Sequence, residues 1–310
     1  MNRPAFQWRS LNTRITLATL GILLAGIWTL SYYAGHILRK EMEARLGEQE
    51  FATVSLVAAQ VESELAIRQQ ALQMVARTAA RILRDEGPEG VQKFVDEQGT
   101  LQALFSGGVA VVDASGTVIA DYPISADRIG VNYIEIDAVA AAVREGRASI
   151  GKPVLGKKLG KPVFGMATPL FDAEGRVIGA LSGVINLGIP SFLEQITESH
   201  YGKTGSYLLI DKQHRLVVTA TDKTRVMGQL PEPGRIPLMD RVIDGFEGSG
   251  VKVNARGTEV LAAAKGIPIA DWVAVVLLPA DEAFAPISEM LRHILLATIA
   301  LTFIAGLLTF

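Results

Sequence analysis

The sequence predicts an α+β fold in which two tandem antiparallel-sheet modules follow one long N-terminal helix, with an apolar segment at each end of the chain. A strand–turn–strand pattern around Asp113 recurs around Asp211, 98 residues downstream. Residues 36–84 carry apolar side chains at helical spacing, and residues 15–34 and 294–310 carry no charge. Two modules of ordinary domain size fit between these segments in a chain of 310 residues.

The N-terminal segment reads as a membrane anchor. Residues 1–14 are a short tail, predicted to be cytoplasmic, and residues 15–34 would form a helix of about 30 Å, enough to cross a bilayer core. Trp28, Tyr32 and Tyr33 lie near its end, where interfacial aromatic residues are expected. A cleaved signal peptide is the alternative, but its apolar stretch is usually shorter and ends in small residues.

Residues 35–99 are predicted to be a stalk helix and its lead-in to the first module. Residues 36–84 contain no proline, and the pair Gly87-Pro88 predicts the end of the helix. A short helical stretch is expected over residues 89–104. The apolar stripe of the stalk has two interpretations: it packs on its own domain, or it forms a dimer seam that carries motion to the membrane.

The first module is assigned to residues 100–190. Its opening hairpin, residues 108–120, combines β-branched strands with Asp113 and Gly116 at the turn, where glycine can adopt positive φ. Further elements are predicted in chain order: a polar loop at 121–132, a helix at 137–145, two short strands around a Gly/Lys turn within 150–170, a turn at Asp172, a strand at 177–187 and a linking helix at 190–199.

The second module is assigned to residues 191–285 and repeats this order. Its hairpin covers residues 206–218, and the partner hairpin covers 253–261. A helix is predicted at 238–245, between the two hairpins, and the last strand at 272–278.

Residues 286–310 are predicted to be a connector and a second membrane-spanning helix. The helix expected over 281–292 contains Pro286, which predicts a kink. Residues 294–310 are at the short limit for a span. A cytoplasmic output domain is expected to follow this span and to be absent from the sequence.

Composition excludes several function classes. The net charge of −2 and the lack of a basic stripe argue against a nucleic-acid partner. The chain has no cysteine, and its four histidines stand apart, so we predict no metal site, no cofactor and no catalytic residue. The Lys-rich turn 156–161 lacks the phosphate-binding loop pattern; a solvated turn is expected, with an anion docked at Lys157, Lys158 or Lys161 as the alternative.

The whole arrangement resembles the double Cache (dCache, PAS-like) sensor domains of bacterial transmembrane receptors. The resemblance covers about Leu38 to Ile287, and its most specific stretches are 108–122, 129–133, 151–169, 175–187, 201–211, 248–250 and 278–287. It implies a periplasmic sensor between two inner-membrane spans, with a membrane-distal module (100–190), a membrane-proximal module (191–285) and a homodimeric state. It further implies that an unknown small molecule binds in the distal module.

The same resemblance suggests the type of cytoplasmic output domain, and two other functions stand as alternatives to sensing. The stretch Glu282–Pro286 is most similar to sensors joined to GGDEF diguanylate cyclases, and a histidine kinase or a chemoreceptor is the alternative. A ligand-free structural dimerisation module is an alternative of another class. A membrane-tethered enzyme is disfavoured because no catalytic cluster is present.

The ligand site departs from the amino-acid-binding members of that family. Those members carry an Arg-x-Trp-Tyr stretch and an acidic strand residue, whereas this chain has Asn132–Val139 and Val184 at the corresponding places, which argues against an amino-acid ligand. Arg128 and Tyr133 are hypothesised to belong to the pocket. The full set of candidate ligand-binding residues, for each of which a surface or turn role is the alternative, is Tyr122, Asp127, Arg128, Asn132, Tyr133, Lys152, Thr168 and Asn186.

Overall fold

A long kinked helix precedes both modules. The computed structural model describes residues 11–197, 201–253 and 257–308. Helix α1 spans Leu11–Asp96, and its helical geometry is interrupted at Gly87, whose φ is 72°. Pro88 follows in the first turn of the resumed helix, where a missing N–H costs nothing. The predicted stop at Gly87-Pro88 is therefore a kink, after which α1 continues; α2 covers Gly99–Leu104.

The first module is one antiparallel sheet covered on one face by a short helix. Its elements are β1 (Val109–Asp113), β2 (Val118–Tyr122), α3 (Asp137–Glu145), β3 (Ser149–Ile150), β4 (Val154–Leu155), β5 (Pro162–Phe171) and β6 (Val177–Asn186). The strand order is β2-β1-β6-β5-β3, and β4 also pairs with β5. The predicted hairpins and helix are confirmed.

The second module has the same topology. Its elements are α4 (Phe192–Thr197), β7 (Ser206–Asp211), β8 (Leu216–Ala220), α5 (Pro237–Ile243), β9 (Gly248–Val253), β10 (Glu259–Ile267) and β11 (Trp272–Pro279). The strand order is β8-β7-β11-β10-β9. The two sheets therefore repeat one arrangement, as the recurring aspartate turns predicted. Parts of the linking helix and of the β9–β10 turn, residues 198–200 and 254–256, lie outside the described residues.

Helix α1 packs across both sheets and completes their core. Leu65 and Leu72 of α1 are fully buried together with Phe164 of β5 and Trp272 of β11 in one continuous cluster. The interpretation that the apolar stripe packs on its own domain is therefore confirmed. Other large apolar side chains of α1 face outward and are exposed: Leu56, Ile67 and Met74.

The C-terminal helix begins after a break. Helix α6 covers Ala280–Ala283 and α7 covers Ala285–Leu308, with Phe284 between them. The prediction of a kink at Pro286 is wrong, because Pro286 is the second residue of α7, a position that needs no backbone donor.

Two helical segments in the described residues are long and apolar enough to cross a membrane. They are the N-terminal part of α1 and residues 285–304 of α7. The two helices contact each other, and Ser31 Oγ and Thr298 Oγ1 are hydrogen-bonded at 3.2 Å.

Candidate ligand site

A small cavity lies in the first module between the sheet, helix α3 and a strap formed by residues 154–159. Its volume is about 60 Å³. The lining is mostly apolar with few polar groups, which is the usual composition of a small-molecule site. It consists of Ala110, Val112, Arg128, Tyr133, Ile136, Val139, Val154, Leu155, Gly156, Lys157, Lys158, Leu159, Val163, Gly165, Ser182 and Val184.

Strand alternation builds the floor of this cavity. Side chains of a strand point alternately to the two faces of a sheet, so Ser182 and Val184 of β6 share the face that looks towards α3. Gly165 of β5 lies opposite Val184 in register and adds no side chain. The missing side chain leaves space between the sheet and the strap.

Arg128 lines the cavity, but its donors are already engaged. Its Nε donates to Asp121 Oδ1 at 2.7 Å, and its terminal nitrogens donate to the carbonyl oxygens of Gly107, Val109 and Tyr122 at 2.8–3.3 Å. Both charged side chains are almost completely buried. A buried ion pair whose remaining donors are satisfied holds the loop 123–128 against β1 and β2.

Tyr133 is the second predicted residue at the cavity. Burial raises the pKa of its hydroxyl above the usual value, whereas the nearby charge of Arg128 lowers it. Lys157 Nζ lies 5.6 Å from the centre of the Tyr133 ring, within the range of a cation–π contact. Asn132 is exposed; its amide donates to Ser115 O and Thr117 Oγ1, so it fixes the loop that carries Tyr133.

Two charged candidates pair with other side chains near the cavity. Asp127 accepts a hydrogen bond from Lys158 at 2.8 Å, which lowers the pKa of the carboxyl and raises that of the lysine. Lys152 lies 3.3 Å from Asp137, at the start of α3. Neither Asp127 nor Lys152 lines the cavity itself.

The remaining three candidates are not brought to the cavity. Tyr122 packs in the cluster beneath α1, on the other face of the sheet. Thr168 lines a separate groove with Gln73 and Arg77 of α1. The side chain of Asn186 accepts a hydrogen bond from Gly188 N at the end of β6. Of the eight candidates, the structure places Arg128 and Tyr133 at the cavity wall.

Sequence reasoning missed Ser182 and gave Lys157 and Lys158 only an alternative role. Ser182 could have been found, because it is a polar residue on the inward face of an apolar buried strand. The two lysines meet the cavity because the strap folds over it, which their local sequence does not indicate. The lining contains three cationic residues and no carboxylate.

A larger cavity occupies the equivalent place in the second module, between its sheet and α5. Its volume is about 550 Å³. Apolar residues of α5 and β11 form one wall, and Thr204, Ser206 and Thr221 are among the polar residues that line it. Thr204 is tied to the start of the C-terminal helix, since Glu282 Oε2 accepts from its amide at 2.9 Å and from its hydroxyl at 2.5 Å.

Metal binding and acid–base catalysis by paired aspartates find no site in the part of the chain that the structure describes. No group of three or more His, Asp or Glu side chains there could hold a metal ion. Asp113 and Asp211 each serve their own turn: Asp113 accepts from Ser115 N and Thr117 N, and Asp211 accepts from His214 N.

Comparison with solved structures identifies the fold. The chain is similar to the sensor domain of the Vibrio cholerae histidine kinase DctB, with a TM-score of 0.58 at 12% identity over 76% of this chain and 98% of that one. It is also similar to the ligand-binding domain of the Pseudomonas aeruginosa PAO1 amino-acid chemoreceptor PctB in complex with L-Arg (TM-score 0.60, 19% identity, 77% and 97% coverage). The corresponding values for the Pseudomonas fluorescens chemoreceptor CtaA with L-serine are 0.58, 19%, 78% and 99%.

Sequence comparison gives the family. No curated protein sequence matches this chain. The family model described as a Cache domain, dCache_1, matches residues 38–287, which include both sheets and most of α1. The protein therefore belongs to the dCache family of Cache domains, which are extracytoplasmic sensor domains of membrane receptors and not enzymes.

Proposed function

We propose that residues 35–285 are the extracytoplasmic sensing region of a membrane signal-transduction receptor, and that a small molecule binds in the distal module. The observation that carries this proposal is the cavity between α3, the sheet and the strap, in a chain with an apolar helix at both ends. Ligand binding would favour one of two arrangements of the modules and α1. Such coupling requires different affinities for the two arrangements, typically worth about 1–3 kcal/mol.

The proposed topology is a two-pass inner-membrane protein. Residues 1–14 lie in the cytoplasm, residues 15–34 and the apolar part of 286–310 cross the membrane, and the modules at 100–190 and 191–285 lie in the periplasm. The chain contains no cysteine, so a single introduced thiol reports its own location. In intact cells, Ser115→Cys, on an exposed turn, should react with a membrane-impermeant maleimide. Ser10→Cys, in the tail, should react only after lysis, and the reverse pattern would reject this topology.

The lining of the distal cavity favours an anionic ligand. Lys157 and Lys158 border it, and the carboxylates with which they pair are exposed, so these ammonium groups can exchange a weak surface ion pair for a ligand anion. The donors of Arg128 are already engaged, and no carboxylate among the lining residues could hold an ammonium group. Among the similar solved structures, PctB is in complex with L-Arg and CtaA is in complex with L-serine. Here Val184 stands on the cavity wall where the resemblance to amino-acid-binding members of the family implies an acid, which supports a small carboxylate without an amine.

A panel of matched probes tests both steps. Propionate, alanine, propionamide and propylamine share a short apolar body and differ in charge, and each is added to the full-length protein in a thermal-shift assay. We expect propionate alone to raise the melting temperature, and Lys158→Gln to reduce that rise more than Lys212→Gln, which alters a lysine of the second module paired with Asp271. Stabilisation by alanine would reject the proposal of a carboxylate ligand without an amine, but it would still support a small-molecule sensor. No response to this panel or to a wider metabolite screen would favour the ligand-free dimerisation module.

The output attached to this sensor is proposed to be a histidine kinase or a chemoreceptor signalling domain. The structural relatives named above belong to those two classes, and this supports the alternative more than the diguanylate cyclase. A homodimer is also proposed. Its support is the exposed apolar stripe on the outer face of α1, at Leu56, Ile67 and Met74.

A further inference from the structure

Helix α1 carries a buried carboxyl group where it lies on the sheet of the second module. Glu50 is 1% exposed, and neither of its carboxylate oxygens has a hydrogen-bond partner among the described residues. Buried polar groups are nearly always paired in folded proteins, and an unpaired one calls for an explanation. No contact of the distal ligand site involves Glu50, so the proposed function leaves it unexplained.

The surroundings of Glu50 are apolar and closely packed. Leu46 and Phe51 of α1 contact the buried clusters of the second module, which include residues of β7, β10 and β11. One turn before Glu50, a Cβ on Gly47 would stand only 2.6 Å from Ser249 Oγ of β9. The helix and the sheet therefore approach too closely at this point for water to reach the carboxyl group.

Two tyrosines are the titratable groups whose pKa responds to the charge of Glu50. The rings of Tyr201 and Tyr207 pack edge to face at 6.3 Å; burial raises the pKa of both hydroxyls, and the charge of Glu50 raises it further. The other charged side chains on the elements around this part of α1 have partners elsewhere or lie at the surface. These pairs are Arg45 with Glu41, Arg39 with Glu259, Lys265 with Glu247, and Glu282 with the Lys203–Thr204 backbone, while Lys252 and Asp281 are exposed.

An ionised Glu50 would therefore have no compensating cation within the described surroundings. Burial raises the pKa of this carboxyl group from 4.5 to about 8. When α1 lies on the sheet, the group is neutral; when the helix lifts and water enters, it ionises. Between the two pKa values, each pH unit changes the ratio of lifted to seated helix about tenfold in favour of the lifted form.

We propose that Glu50 is a proton-binding site that makes the seating of α1 on the second module depend on the pH outside the membrane. Helix α1 runs without a break from this point to the apolar segment 15–34, so a change in its seating moves the first membrane span directly. The receptor would thus have a second input, the proton, at a site separate from the cavity of the first module. This inference does not depend on the identity of the small-molecule ligand.

A single thiol at the helix–sheet contact tests the proposal in the full-length chain. Ser249→Cys is a conservative change next to Gly47; the helix partly covers this position, and the thiol becomes more reactive when the helix lifts. Its alkylation by a maleimide is measured from about pH 5 to about pH 9, with Glu50 intact and with Glu50→Gln, a neutral near-isostere. Both rates depend in the same way on ionisation of the thiol, so their ratio removes that part of the pH dependence.

We expect the two rates to agree at the acidic end. Above the unfolded pKa of 4.5, the rate with Glu50 should exceed the rate with Glu50→Gln by about tenfold per pH unit, with a plateau near the pKa of about 8. Glu48→Gln, an exposed glutamate on the same helix, is the matched control and should leave the profile unchanged. A constant ratio at every pH would overturn the proposal, and so would an equal effect of Glu48→Gln. If Glu50→Gln does not fold, Glu50→Met supplies the same neutral comparison.

Discussion

The ring of Phe164 in β5 meets the ring of Trp272 in β11 edge to face across the boundary between the two modules. The ring centres are 5.2 Å apart and the planes are inclined at 77°. Both side chains are completely buried and belong to the cluster that includes α1. The modules therefore share one core at this point, and packed side chains connect the two sheets.

Double substitution at this contact should show that the modules are coupled in stability. Phe164→Leu and Trp272→Leu each remove buried aromatic surface and should destabilise the protein by about 1–3 kcal/mol. Their effects should be non-additive by about 0.5–1.5 kcal/mol, since edge-to-face pairs contribute that much beyond their area. Chemical denaturation of the two single variants and the double variant measures the coupling, with the half-exposed Phe171→Leu as the control. Strictly additive losses would contradict a direct interaction.

Removal of Arg128 should destabilise the first module rather than simply weaken ligand binding. Arg128→Met leaves the buried charge of Asp121 without its cation and with only the backbone N–H of residue 128 as a donor, and breaking a buried ion pair typically costs about 3–5 kcal/mol. Asp121→Asn combined with Arg128→Met removes both charges and should recover part of the loss. The free energies of unfolding of the two variants test this role. If Arg128→Met is as stable as the native protein, the guanidinium does not hold the loop 123–128 in place.

The hydroxyl groups of Tyr133 and Ser182 offer a cleaner test of the cavity. Tyr133→Phe and Ser182→Ala keep the shape of the wall and remove one polar group each. For any ligand that stabilises the native protein, each change should weaken Kd by up to about tenfold, which corresponds to about 1.4 kcal/mol.

Thr168→Val is the matched control for this test, because Thr168 lies on the opposite face of the sheet. Titration calorimetry distinguishes the outcomes. A loss of affinity with Thr168→Val and none with Tyr133→Phe would move the site to the groove beside α1.

The fold was predictable because its signals are local. The turns at Asp113 and Asp211 and the apolar strands around them are read within a few residues, and the strand positions follow from them. The face of the sheet to which each side chain points was harder to predict. Thr168 was grouped with the ligand site, although Phe164, Met166 and Leu170 share its alternating position in β5 and all point to α1. Applying the two-residue period of the strand would have separated Thr168 from the cavity.

Arg128 and Glu50 show what sequence alone could not provide. Arg128 stands in a polar loop that looks like surface, and only the fold brings it to Asp121 and three carbonyl groups. Glu50 stands among many charged residues of α1 and is distinguished by the contact with the second sheet. The contacts of Arg128 span 6 to 21 positions across a loop, and those around Glu50 join α1 to the second sheet, so no local period indicates them.

The hydrogen bonds that Glu282 accepts from residues 203–204 should be lost at acid pH. Hydrogen bonds from Thr204 and Lys203 lower the pKa of this carboxyl group below its usual value of 4.5. Because the folded pKa is lowered, the contribution is present above the unfolded pKa and is lost as the pH falls through the folded pKa. Glu282→Gln should remove this acid dependence, and Asp281→Asn should preserve it. Hydrogen exchange of the Lys203 and Thr204 amides measures the effect; exchange that does not change with Glu282→Gln would show that α6 is not held here.

The outer face of α1 carries the prediction about assembly. Leu56, Ile67 and Met74 are 73%, 50% and 62% exposed. Their spacings of 11 and 7 residues place them within about 20° of one another around the helix, as in a coiled-coil seam. A second copy of the same helix can cover such a stripe along its length. We therefore expect α1 to pair with α1 of a second copy in the membrane-bound protein.

Single thiols separate this pairing from random contact. The chain has no cysteine, so Ile67→Cys should form a disulfide with position 67 of the second copy under mild oxidation. The two positions would face each other across the seam. Gln73→Cys is exposed on the same helix but points about 120° away, so it should stay unlinked. Ile67→Glu should shift the native protein from dimer to monomer in sedimentation, because it buries two like charges in the seam. Equal cross-linking at the two positions, or a dimer that survives Ile67→Glu, would place the interface on another face.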